Sequence, residues 1–383
     1  MARMTSTSLR HALADRTGTN AEDWFPVFKA RYGMLAVFRA LAAVRPHATR
    51  VVTQALTCST AVDPILVAGL TPVYGEISPT TFSLDPARLS LPDATAALVI
   101  QHTFGVIDAG AAQALTAAAR AGGALVVEDA AHCVGRMASG ADGAPLADVS
   151  IHSFGAEKML PTKFGGAVWV NPALADADVR ARIVAALSAL PTPGARLALA
   201  ARTYNWTRKV VTHAPGGASV GRVLQRLRLF SPPVAQPERE GRLAHEAVTA
   251  GDWVERRAAE ALADLPAVEA RRLAAVEAYA QALGTGPTGQ PLVRFPVLAE
   301  RDAEAITARL RAQGIYAGSW YRPALFPGVA DPTAYHWQPG TLPVTDDVIA
   351  RIINLPTDVT VERARQIAQA YLEVSRSAPG AGA

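Results

Sequence analysis

The sequence predicts an α/β fold: a mostly parallel central sheet flanked by helices, followed by a smaller C-terminal α/β domain. Two observations lead there. Between residues 51 and 170, short apolar runs that do not alternate are separated by Ala-rich stretches. Strands of that kind are buried on both faces, which is the condition of a parallel sheet covered by helices. After Asn171 the pattern changes to long helical segments rich in Ala, Leu and Arg, and a second strand–helix–strand pattern follows.

The strand candidates are 50–53, 71–74, 97–100, 124–127, 149–152 and 167–170, the last entered through Gly165-Gly166 as a tight turn. Helices are expected over 32–43, 62–68 and 111–121, with a short one over 130–134. Residues 172–228 read as helical. Residues 229–240 carry three prolines and read as a linker or crossover, and 246–283 read as helical again. The segments 293–297, 303–313 and 315–318 suggest the smaller α/β unit, and 360–373 a final helix. The expected division is an N-terminal segment (1–30), a large domain (31–240), a small domain (241–374) and a disordered tail (375–383).

Composition narrows the function classes. At 383 residues and 50% hydrophobic content the chain buries a sizeable core. A net charge of +4 without a long Lys/Arg block speaks against a nucleic-acid partner, and is equally able to steer a small anion. Two cysteines, Cys58 and Cys133, make neither a disulfide framework nor a metal site. With no apolar signal core and no membrane-length apolar stretch, a cytoplasmic protein without membrane contact is expected.

The chemistry concentrates at two strand ends. Leu125-Val126-Val127-Glu128-Asp129-Ala130-Ala131-His132 delivers Asp129 at the carboxyl end of a strand, where parallel sheets bind ligands. Read alone, Asp129 is as readily a turn cap. The next strand delivers Ser153; Lys158 and Lys163 follow in a Gly/Pro-containing loop. A lysine past a strand end is ordinarily a solvated surface residue. A hydroxyl and an amine on one loop also have the chemistry to hold a phosphate and an aldehyde of one cofactor.

Glu128-Asp129-Ala130-Ala131-His132, then Ser153-Phe154 with Lys158, then Gly165-Gly166, resemble the DegT/DnrJ/EryC1/StrS family. The likeness extends to Gly69-Leu70-Thr71-Pro72-Val73 with Glu76 and Asp85-Pro86, to His102-Thr103-Phe104-Gly105, and to Asn354-Leu355-Pro356-Thr357. It implies a fold-type I, aspartate-aminotransferase-like enzyme that uses pyridoxal 5'-phosphate. The implied reaction moves an amino group from an amino acid donor, glutamate or glutamine, to a keto sugar nucleotide or keto cyclitol. The implied assembly is a homodimer. By the same resemblance Lys158 forms the Schiff base, Asp129 pairs with the pyridine nitrogen, and His132 contacts the ring face or its 3-hydroxyl. Ser153 binds the cofactor phosphate. Gly33 and Met34, at the start of the 32–43 helix, offer backbone N–H groups to it, as a helix N-terminus does for an anion. Thr57 and Cys58 line the cofactor face. Trp320-Tyr321-Arg322-Pro323 resembles the family's region near the substrate, making Tyr321 and Arg322 substrate candidates. Arg322 is equally readable as a surface residue in a Pro-bounded turn.

The sequence departs from that pattern at three places. Met34 stands where many relatives carry Ser or Thr, Cys58 stands where many carry an aromatic, and the Asn-x-Arg loop that reaches the partner's cofactor is not recognisable between 229 and 243. A non-catalytic protein retaining the fold, or a related dehydratase, are the alternatives. Lys158 argues against the dehydratase, in which histidine typically replaces it. Borohydride reduction in the presence of pyridoxal phosphate should fix the cofactor on Lys158; peptide mapping that finds it on Lys163 instead would overturn the assignment.

Overall fold

The computed structural model describes residues 8–160, 162–213, 216–300 and 302–377. The chain begins with α1 (Leu9–Thr17), β1 (Trp24–Val27) and α2 (Ala30–Val44). It continues through β2 (Arg50–Gln54), α3 (Ser59–Val67), β3 (Thr71–Gly75), β4 (Thr95–Gln101), α4 (Ala109–Ala121), β5 (Leu125–Ala130), β6 (Val149–Ser153) and β7 (Gly166–Val170). Helices α5 (Ala177–Ser188), α6 (Ala195–His213), α7 (Gly217–Arg226), α8 (Asp252–Ala263) and α9 (Leu265–Leu283) follow. The last part holds β8 (Arg294–Leu298), α10 (Ala303–Ala312), α11 (Pro343–Arg351), β9 (Ile352–Pro356) and α12 (Val361–Arg376).

Strands β1 to β7 form one sheet in the order β1-β7-β6-β5-β4-β2-β3. The pairs β6–β5, β5–β4, β4–β2 and β2–β3 are parallel; β7 is antiparallel to both β6 and β1. The apolar runs are buried because α2 and α5 cover one face, where Val37, Phe38 and Leu41 meet Val51, Val99, Val127 and Val168. Leu115 and Ala119 of α4 lie among Val52, Leu98, Ile100 and Val126 on the other face. Strands β8 and β9 pair antiparallel in a second, two-stranded sheet, and Tyr279, Ile306, Leu310 and Ile367 of the surrounding helices close its core. Short polar side chains open the helices: Asp108, Asp176, Asp302 and Thr360 each accept a backbone N–H of the first turn of α4, α5, α10 and α12.

Four readings of the sequence need correction. Residues 130–134 are not helical, since Ala130 still pairs with His152 as the end of β5 and turns follow. Residues 246–251 precede α8 without helix, and 315–318 make no strand beyond one bridge from Gly318 to Asn354. Ser375 and Arg376 belong to α12 and not to a tail; the remainder of that tail, 378–383, lies outside the described residues, as do 1–7 of the N-terminal segment. The rest of 1–30 is ordered, with α1 packed on α8 and β1 as the sheet's antiparallel edge. Strand β1 gives no clear signal because Trp24-Phe25-Pro26-Val27 is short and contains proline, which an edge strand tolerates.

One buried network fixes the strand ends that carry the chemistry. His102 Nε2 donates to Glu128 Oε1 at 2.7 Å, the Ala138 N–H donates to the same oxygen at 2.7 Å, and Ser150 Oγ donates to Oε2. Burial alone would push the Glu128 carboxyl up, but these donors outweigh it and hold it below the usual carboxylate range. A carboxyl lowered by folding stabilises the protein above its unfolded pKa of about 4.3 and loses that contribution as pH falls through the lower folded value. Glu128→Gln should therefore cost about 2–4 kcal/mol at pH 7. It should also make stability less sensitive to acid below about pH 5. Urea unfolding midpoints of wild type and variant across this range check it, and equal midpoints at neutral pH would mean the network is not what holds the strands.

Candidate active site

The carboxyl ends of β4, β5 and β6, the start of α2 and the segment around Trp320 enclose a cavity of roughly 370 Å³. Of the residues expected at the site, Lys158, Asp129, His132, Ser153, Met34, Thr57, Cys58 and Tyr321 line it. Alternation along β5 explains the placement of Asp129, because Glu128 faces the buried network and its neighbour must face the other way. Asp129 Oδ1 accepts the Ala131 N–H at 3.0 Å, and among the described residues Oδ2 accepts no hydrogen bond. Burial raises this carboxyl above its ordinary range; the backbone donor and the nearby Lys158 pull the other way.

Lys158 reaches the same space from the loop after β6. Burial lowers its amine below the usual lysine range, and among the described residues no carboxylate lies within ion-pair distance of it. Its Nζ lies over the Trp320 ring, 5.4 Å from the ring centre. Ser153 Oγ accepts the Gly155 N–H at 3.2 Å and keeps its own proton for another acceptor.

His132 is held on two sides. The Phe104 N–H donates to Nδ1 at 2.9 Å, so the neutral ring carries its proton on Nε2, 2.9 Å from Tyr321 Oη. Burial, with Lys158 and Arg294 nearby, holds the ring well below the usual histidine range and therefore neutral. Trp320 stacks on it at 5.3 Å and 13°. Asn354 of the Asn354-Leu355-Pro356-Thr357 stretch fixes that tryptophan: its Oδ1 accepts the Trp320 N–H at 2.5 Å and its Nδ2 donates to the Trp320 carbonyl at 2.7 Å. Beside Cys58, Phe326 bridges the same backbone and lines the cavity, so aromatic surface enters there from the C-terminal part of the chain.

Two expected residues are elsewhere. Helix α2 opens at Ala30, earlier than expected, so Gly33 lies inside it and faces the sheet. A Cβ on Gly33 would meet Val168 Cγ2 at 2.3 Å, so this glycine serves close helix–strand packing. Arg322 does not line the cavity; its Nη2 donates to the Ala303 carbonyl and to Thr307 on α10. Besides Lys158, the cations that do line it are Lys29, Arg31, Lys163, Arg294 and Arg311, and of these five only Lys163 stands out in the sequence. Lys29 and Arg31 flank the true start of α2, a signal hidden by placing that helix at 32. His102 and Cys133, whose residue types suggest core positions, are both buried; His102 pairs with Glu128 and also lines the cavity.

The donor set fits pyridoxal phosphate on its own geometry. A buried amine without a carboxylate partner suits an aldehyde, Asp129 with a free oxygen suits a ring N–H⁺, and a serine hydroxyl with several cations suits a phosphate. Among the described residues no cluster of His, Cys, Asp and Glu suits a metal, and no helix is long and apolar enough to cross a membrane.

Residues 30–186 match the sequence profile of the DegT/DnrJ/EryC1/StrS aminotransferase family. A pleiotropic regulatory protein of Geobacillus stearothermophilus is 33% identical over 119 residues, 30% of this chain and 30% of that protein. GDP-perosamine synthase of Caulobacter vibrioides is 31% identical over 135 residues, 35% of each chain. The match thus spans about a third of the length of these curated relatives. The fold extends further. The Helicobacter pylori PseC, an aminotransferase involved in the biosynthesis of pseudoaminic acid, superposes with a TM-score of 0.68 over 96% of this chain and 90% of that one, at 16% identity. The matched segment contains Asp129, His132, Ser153 and Lys158, and over that segment the chain is similar to the DegT/DnrJ/EryC1/StrS aminotransferase family.

Proposed function

We propose that the protein is a pyridoxal-phosphate-dependent aminotransferase that moves an amino group from an amino acid, glutamate or glutamine, to a keto sugar nucleotide or keto cyclitol. The observation that carries this reading is the convergence of Lys158, Asp129, His132 and Ser153 on one cavity at the carboxyl ends of parallel strands. The family match over the segment holding all four supports it, as does the activity for which the perosamine synthase relative is named.

When bound, pyridoxal phosphate supplies an electron sink for the substrate's α-carbon. Everything else falls to the chain. Lys158 carries the amine that holds the aldehyde and, once free, moves the proton at the α-carbon; its lowered basicity leaves it neutral enough to accept one. Asp129 keeps the ring nitrogen protonated through its open oxygen. That proton in turn relieves the cost of burying the carboxylate. Neutral His132, oriented by Phe104 and Tyr321, presents a polar edge beside the ring without adding charge. Ser153 donates to the phosphate. Thr57, Cys58, Met34 and Phe326 wall the cofactor space, and Tyr321, Arg294 and Arg311 face the substrate side. The homodimer implied by the family resemblance belongs to the same proposal.

A second reading, a regulatory protein that keeps the fold, is favoured by the name of one relative and by Met34 and Cys58 in place of the family's usual residues. Asp129→Asn separates the two. The variant should fold and still take up cofactor while turnover with glutamate falls roughly a hundredfold or more, the scale of losing one proton-handling group. A wild-type rate of amino transfer in the variant would remove Asp129 from the reaction. Cofactor uptake by the wild type without transfer to any keto sugar would favour the regulatory reading.

A further inference from the structure

The cavity has a second polar end that the residues above do not use. Lys29 is 8% exposed, and among the described residues its Nζ donates only to the Pro232 carbonyl, at 3.2 Å. Arg31 pairs with Glu238 at 2.6 Å and donates to the Pro233 carbonyl at 2.8 Å. Ser231, 2% exposed, lines the cavity with a hydroxyl that has no hydrogen-bond partner among the described residues. Glu238 also accepts the Ala235 N–H, so one carboxylate stands against two buried cations. Burial, with Arg31 beside it, lowers the Lys29 amine to about 8 although Glu238 pulls the other way.

The backbone ties this end to Ser153. Lys29 forms a bridge with Gly165, and Ser153 pairs with Gly166 in the next position of the sheet. The first turn of α2, where Ala30 and Arg31 line the cavity, opens onto the same corner without a side-chain cap. Met34 brings no hydroxyl to it. The corner therefore combines two cations, an unpartnered serine, a second serine and the uncapped start of a helix, a donor set that suits a phosphate.

We infer that Lys29 and Ser231, with Arg31 behind them, hold the phosphate of the cofactor, doing from within one chain what the hydroxyl missing at Met34 and the unrecognised partner loop do not supply. The inference rests on the aminotransferase reading and deepens it. It also explains the proline-containing segment 229–240, because the Pro232-Pro233 turn carries Ser231 and the carbonyls that position the two cations.

The test compares pyridoxal phosphate with pyridoxal, which lacks the phosphate, on the full chain stripped of cofactor. Absorbance titration gives both dissociation constants for wild type, Lys29→Met and Ser231→Ala. Lys29→Met should weaken pyridoxal phosphate roughly ten- to a hundredfold, the range of one charge-assisted hydrogen bond, and leave pyridoxal unchanged. Ser231→Ala, which disturbs no ion pair, should weaken the phosphorylated form several-fold in the same selective way, about one neutral hydrogen bond. The cofactor-free Lys29→Met protein should melt no lower than wild type, since it loses a buried charge without a counterion. Equal weakening of both ligands, or of neither, in both variants would overturn the inference and leave the aminotransferase reading standing; a cation reserved for a substrate's phosphate gives the second of these results. A wild type that binds neither compound overturns both.

Discussion

Glu128 is the group on which the site's geometry depends. It is buried in the strand that lies between β4 and β6, and its two oxygens take donors from the end of β4, from β6 and from the loop at Ala138. The end of β4, the start of β6 and the loop at Ala138 are thereby tied to β5. Strand alternation then turns Asp129 into the cavity, and the register from Asp129 to Ile151 and from Ala130 to His152 carries Ser153 to the same level. A buried carboxylate is stable here only because every donor is in place, which makes the arrangement stiff as well as costly to disturb.

The cavity itself is set by what faces that frame. Its aromatic side comes from the C-terminal part of the chain: Trp320 lies on His132, Tyr321 reaches its Nε2, and Asn354 holds the Trp320 backbone from both sides. Glu76 ties the two parts together from the other direction, accepting the Val344 and Thr345 N–H groups at the start of α11. The polar lining is short of negative charge, with Lys29, Arg31, Lys158, Lys163, Arg294 and Arg311 set against Asp129 and Glu157, and with Glu238 paired to Arg31 behind it. A space of this size with that imbalance suits an anionic ligand better than a neutral one.

Much of this is legible in the chain. The six strand candidates of the large sheet all exist, their ends displaced by at most three residues, because non-alternating β-branched runs between Ala-rich helices have few other ways to bury both faces. Lys158, Asp129 and Ser153 are recognisable because they sit at or just beyond strand ends, and strand ends of a parallel sheet share one rim, while His132 is picked out by the family resemblance. Gly33 is misplaced by sequence reasoning for a local reason: Lys29-Ala30-Arg31 gives no capping side chain, so the opening turn of α2 carries no signal. Arg322 is misplaced for a tertiary one, since its neighbour Tyr321 turns inward while it turns to α10.

The amino-acid sequence by itself determined the layered α/β architecture, the strand ends that bear reactive groups and the identity of those groups, because each follows from periodicity or from short-range spacing. Tertiary structure decided which cations attend them. Lys29 and Arg31 lie near the beginning of the chain and Ser231 far along it, and Trp320 stands far along the chain from His132. No local rule brings such residues together; only the return of the 229–240 segment to the start of α2, and of the C-terminal unit to the rim of the sheet, does so. What the sequence presents as a linker and a surface turn become walls of the cavity because burying them there satisfies polar groups that nothing nearer in the chain can reach.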